Sequence, residues 1–233
     1  MILSLITSGY PFDIILILIV AIAVSATLSI VAHEVSHGYA ALACGDNTAK
    51  KAGRLNFNPL AHFDITGLIV MLLIGFGWAK PVPVNPYNFK NYKKGVIFVS
   101  LAGIAANLLL AGIGLLILYL IYPYCVALMA SASKLRILGY FFYYLPAYFT
   151  VMNIMLAFFN ILPIYPLDGF NFANSLLPRG NAYSNFMFKY GWVVLIAIVI
   201  ISNVFNYVGL RQLNVFYQVQ KLAWNLVSLV TGG

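Results

Sequence analysis

The stretch "FDIILILIVAIAVSATLSIVAHEVSHGYAALA", residues 12–43, decides the fold class. It starts after Pro11 and runs to about Ala43, close to 30 residues, longer as a helix than the bilayer core requires. Its first twenty residues hold one charge, Asp13, and its last third carries His33, Glu34 and His37. Ionisable groups at membrane depth are costly and mark function by default. The rest of the chain agrees with a membrane reading. Of 233 residues, 63% are hydrophobic and only 8% charged, and the mean hydropathy is +0.93. Soluble domains are about 25% charged. Long unbroken apolar runs without dyad alternation argue against an outer-membrane β-barrel.

Further spans are predicted at about 95–122, 137–162 and 186–205. "ITGLIVMLLIGFGW", 65–78, is apolar but too short to cross as a helix, and is read as a re-entrant or partly inserted element. "KPVPVNPYNF", 80–89, has three prolines and reads as extended, in the manner of an edge strand. The tail, 207–231, has helically spaced apolar residues that suit an interfacial helix or one packed on the bundle. The expected fold is therefore all-α and polytopic. It has about four full transmembrane helices, a re-entrant element near 65–78 and a short extended or β segment near 80–89. The whole chain, 1–233, is expected to be one domain, with a core over 12–175 and C-terminal helices over 186–231.

The net charge of +8 comes from 13 Lys+Arg against 5 Asp+Glu. Seven of the basic residues lie between Lys50 and Lys94. Their grouping at segment ends points to positive-inside topology and lipid head groups, with no nucleic-acid partner. If 65–78 does not cross, this basic region is cytoplasmic and both chain ends lie outside. Cys44 and Cys125 form neither a disulfide framework nor a zinc pattern.

His33, Glu34 and His37 form H-E-x-x-H. On a helix, residues i and i+4 share a face, so both imidazoles can meet one Zn²⁺. Glu34, the only glutamate in the chain, is placed to take a proton from a metal-bound water. Catalytic zinc needs a third protein ligand. The candidates are His62, Asp13, Asp46, Asp64 and Asp168. Asp13 is about 30 Å along the helix from His33. Asp46, His62 and Asp64 sit in a basic loop with nothing tying them to the helix. Asp168 closes "NILPIYPLDG" (160–169), where Pro163 and Pro166 break helical pairing. The freed backbone must be buried in protein or line a wet cavity, and an extended stretch there would let Asp168 reach across the bundle. A plain helix-ending turn is the competing reading.

"HEVSHGYAA" (33–41) and "NILPIYPLDG" together resemble the site-2 protease family of intramembrane zinc metalloproteases. "GRLNFNPLAHFD" (53–64) and "GWAKPVPVNPYNF" (77–89) resemble its short bacterial subgroup without PDZ or CBS domains. The resemblance implies one Zn²⁺ per chain held by His33, His37 and Asp168, with Glu34 as catalytic base. It implies transmembrane protein substrates, and a bacterial plasma-membrane location with the active site toward the cytoplasm. "SLAGIAANLL" (100–109) resembles the family's glycine-proline-x-x-asparagine stretch, with Ile104 in place of proline. By analogy Asn107 and Asn160 orient substrate or stabilise an oxyanion; for Asn107 an interhelical hydrogen bond is an equal alternative. His62 is expected to be a hydrogen-bonded loop histidine. Two other functions use the same residues: a membrane zinc transporter or channel, and a catalytically silent relative that binds membrane proteins. A lone charged cluster without a ladder of sites argues against the first, and an intact base against the second.

Overall fold

The computed structural model describes residues 9–62, 80–178 and 180–232. Four long apolar helices dominate. Helix α1 is Phe12–Ala43, followed by the short α2, Thr48–Lys51, and α3, Pro59–His62. Residues 80–85 have neither helix nor strand, and a 3-10 turn covers Pro86–Asn88. Then come α4, Tyr92–Met129; α5, Leu135–Ile161; α6, Asp168–Leu176; α7, Ala182–Tyr207; and α8, Val215–Thr231. Helices α1, α4, α5 and α7 are long and apolar enough to cross a membrane. The re-entrant element expected at 65–78 lies outside the described residues.

Phe12, Leu16, Val20, Val24 and Leu28 are exposed along the first half of α1. A surface of this kind faces lipid, which is as apolar as leucine. The buried face runs at three- and four-residue intervals through Ile14, Leu18, Ala21 and Ile22, then Ser25, Ser29, His33 and His37. One stripe thus changes from apolar to polar along its length. Its apolar half packs on Tyr148 of α5 and on Trp224 of α8. On α4 the buried stripe is Ser100, Gly103, Ile104, Asn107, Ala111 and Gly114, small enough for close approach of helices. A Cβ at Gly114 would stand 2.5 Å from Thr150 Oγ1 of α5.

The observed ends refine the expected spans. Helix α4 continues to Met129 through Pro123 rather than stopping near 122. Asn91 caps it by accepting from Lys94 N at 3.0 Å. The fourth span extends over Ala182–Tyr207, started by Asn181, which accepts from Ser184 N at 2.9 Å. In the tail, α8 packs on the bundle: Ala223 and Val227 are buried with Leu118, Ala147 and Val151. The 80–89 segment is extended only in part, and among the described residues no strand pairs with it.

The two ends of the long connection from α1 to α4 meet. Lys90 N donates to Cys44 O at 2.9 Å. Asp46, fully buried, accepts from Asn85 N at 2.7 Å and Asn88 Nδ2 at 2.7 Å, and from Thr48 N at 3.0 Å. The C-terminal end of α1 and the N-terminal end of α4 therefore share one end of the bundle.

Candidate metal centre

Each half of the centre sits on its own element. His33 and His37 are one turn apart on α1, 7% and 8% exposed. Asp168 is the first residue of α6. The expected extended arm is thus corrected: the prolines precede a short helix, and Asp168 heads it. The irregular backbone is confined to 162–167, where Ile164 N bonds Leu162 O and Leu167 N bonds Ile164 O, both at 2.8 Å. Gly169 lets α6 close on the end of α5; a Cβ there would collide with the Ile161 and Leu162 carbonyls. A carboxylate in the first turn also has the favourable end of the helix dipole.

The three side chains converge. His33 Nε2 and His37 Nε2 are 3.0 Å apart, and each is 3.1 Å from Asp168 Oδ2. Zinc bonds of 2.0–2.1 Å imply tetrahedral edges of about 3.3 Å, so this triangle has the size of a zinc face. The rest of each ring agrees. His37 Nδ1 lies 2.8 Å from Val99 O, which only accepts, so this nitrogen carries the proton. His33 Nδ1 lies 2.6 Å from Asn107 Oδ1. Both Nε2 lone pairs then point at the same spot as Asp168 Oδ2, a buried oxygen with no hydrogen-bond donor. Three acceptors facing one another repel unless a cation lies between them, and the donor set therefore fits zinc.

Asn107 is fully buried, and its amide is fixed. Nδ2 donates to Asn153 Oδ1 at 2.6 Å and faces Ser29 O at 3.4 Å. Asn153 Nδ2 in turn donates to Ser29 Oγ at 2.7 Å and to Phe149 O at 2.8 Å. The chain Ser29–Asn153–Asn107 thereby presents an oxygen to His33 and sets its tautomer, as partners of metal-bound imidazoles do. This places Asn107 behind His33, with both amide hydrogens directed away from the donor triangle and toward other helices. These contacts are interhelical hydrogen bonds, from α4 to α5 and to α1. Asn160 is half-buried and donates to Leu156 O, one turn back, at 3.0 Å. Gly103 makes room for the imidazole; a Cβ there would stand 2.5 Å from His33 Cε1.

Glu34, next to His33 on α1, is half-buried. Its Oε2 accepts from Val82 N at 2.9 Å. His62 is fully buried, with Nε2 2.8 Å from Asn56 O, away from the triangle. Asp13 bonds Arg136 at 3.2 Å, and Asp46 holds the 85–88 turn. Among the described residues His33, His37 and Asp168 form the one cluster of three potential metal donors. Sequence reasoning missed Ser29, Asn153 and Val82. A polar amide amid "VMNIM" is a signal for Asn153; nothing in the sequence marks a main-chain N–H.

A cavity of about 640 Å³ touches the centre only through Val99, whose carbonyl meets His37 Nδ1. Val84, Pro86 and Phe89 line it on one side, Val99 and Ser100 on another, and Asn171 and Asn174 on a third.

No protein-family model and no solved structure matches the chain. It is 37% identical over 195 residues to a Bacillus subtilis (strain 168) protein named "Putative zinc metalloprotease YwhC", covering 82% of this chain and 83% of that one.

Proposed function

The chain belongs to the site-2 protease family of zinc metalloproteases, and on that premise we propose that it hydrolyses peptide bonds in or near transmembrane segments of other membrane proteins. The observation that carries the proposal is the triangle of His33, His37 and Asp168 donors, built on a helix long and apolar enough to span a bilayer. His33 and His37 would hold one Zn²⁺ with Asp168, while Asn107 and Val99 O keep the two rings in register. Bound zinc supplies a Lewis acid for the scissile carbonyl and lowers the pKa of a water toward 7. Glu34 takes the proton of the attacking water and returns it to the leaving nitrogen.

The substrate helix must unwind, since a helix hides its carbonyl carbons. Residues 81–85 are suited to receive the unwound chain as an added strand. Pro81 and Pro83 have no N–H, and those of Val82 and Asn85 are already bonded to Glu34 and Asp46. That leaves Val84 N–H, at the cavity wall, and the segment's carbonyls for an incoming chain. The basic residues from Lys50 to Lys94 support a cytoplasmic position for this end of a bacterial plasma-membrane protein. A transport function would call for further donor clusters along a path.

The test is cleavage of a co-reconstituted membrane substrate by purified protein. Glu34→Gln should keep one zinc per chain and lose cleavage by at least about a hundredfold. Retained cleavage by that variant would sink the mechanism.

A further inference from the structure

The segment "KPVPVNP", 80–86, makes an unusual pattern of donors. Proline on both sides isolates the Val82 N–H, and this lone donor ends on Glu34 Oε2 at 2.9 Å. Two features hold it there. Val82 is buried against α1 at Gly38, where a Cβ would stand 3.0 Å from Val82 Cγ1. Three residues on, Asn85 N is anchored by Asp46 Oδ2, while Asp46 Oδ1 accepts from Thr48 N, Thr48 Oγ1 and Asn88 Nδ2. Pro83, with its fixed φ, lies between the two anchors.

We propose that the Val82 main-chain N–H is the positioning group of the Glu34 base, and that Asp46 is the positioning residue that holds it in place. The N–H takes one carboxylate oxygen and fixes the plane of the group. Oε1 is then directed by that plane instead of by a freely rotating side chain. Four donors converge on Asp46, so only a carboxylate satisfies them. Asparagine would turn an N–H against at least one of those donors. The inference rests on reading Glu34 as the base, but its contact with Val82 can be read without turnover.

Glu34 is the chain's only glutamate, so cell-free synthesis with ¹³C-glutamate gives an infrared carboxylate band of one residue, assigned by its loss in Glu34→Gln. In reconstituted protein the band should shift in Val82→Pro and in Asp46→Asn, and keep its position in Val82→Ala, which retains the N–H. Charge-assisted hydrogen bonds of this kind set an expected fall in kcat of about tenfold or more for Val82→Pro. KM and zinc content should stay within about twofold, and Val82→Ala should lose less. An unshifted band in both Val82→Pro and Asp46→Asn overturns the proposal; should Val82→Pro fail to fold, Asp46→Asn decides alone. Cleavage surviving in Glu34→Gln would instead remove the base reading, and leave the spectrum to decide the contact.

Discussion

At the scale of single residues, three donors, on His33, His37 and Asp168, converge, while Asn107 and Val99 O bond the far nitrogens of the two rings. His33, Glu34 and His37 were legible because a helix turns the spacing i, i+4 into a shared face. The scarcity of acids made Glu34 stand out. Asn107 was legible only through the resemblance of "SLAGIAANLL" to a family stretch, and its role was not, because a sequence does not say which way a carboxamide points. In the fold it gives Oδ1 to His33 Nδ1 at 2.6 Å. Loss of such a partner typically costs 10–100-fold in metal affinity. Asn107→Ala should therefore weaken zinc binding by about tenfold or more in a chelator competition, while Asn160→Ala leaves the affinity within about twofold. Equal affinities for wild type and Asn107→Ala would contradict the orienting role.

At the scale of elements, span positions were readable because lipid-facing helices must be apolar along their length. Their ends were less so: α4 passes through Pro123 although that residue gives up one i→i−4 hydrogen bond and crowds the preceding turn, which in a sequence reads as a stop. Helix α6 was hidden by the two prolines before it, which suggested an extended arm; prolines before a helix are compatible with one that starts just after them. Gly169 is the element's critical position, since any Cβ meets the end of α5. Gly169→Val should lower zinc content to well under half of wild type by displacing Asp168, measured by atomic absorption. The connection between α1 and α4 depends on Asp46. Burial pushes its carboxyl up, but the Asn85 N–H, the Asn88 amide and Thr48 outweigh this and hold it below its usual value of 3.8. A depressed native pKa gives stability that is present above the unfolded pKa and lost as pH falls through the native one. In chelator-treated protein, the melting temperature of wild type should exceed that of Asp46→Asn at neutral pH, with the gap closing below about pH 4. A gap independent of pH would contradict this.

At the scale of the whole molecule, four helices able to span a membrane bring together motifs more than 130 residues apart in sequence. Apolar periodicity announced a bundle, but not that α1 would lie against both α4 and α5, with Asp168 at the head of α6 reaching its histidines. That arrangement follows from small residues: Gly103 beside His33, Gly169 beside Ile161, and the Ser29–Asn153–Asn107 chain crossing three helices. The account's central claim is that this bundle makes one zinc site from His33, His37 and Asp168. Zinc-edge X-ray absorption on the purified, reconstituted protein tests it most directly. The prediction is one zinc per chain with two imidazole nitrogens, oxygen ligands and no sulfur, and an Asp168→Ala variant that no longer retains the metal. A sulfur shell, or an unchanged spectrum and stoichiometry in Asp168→Ala, would contradict it.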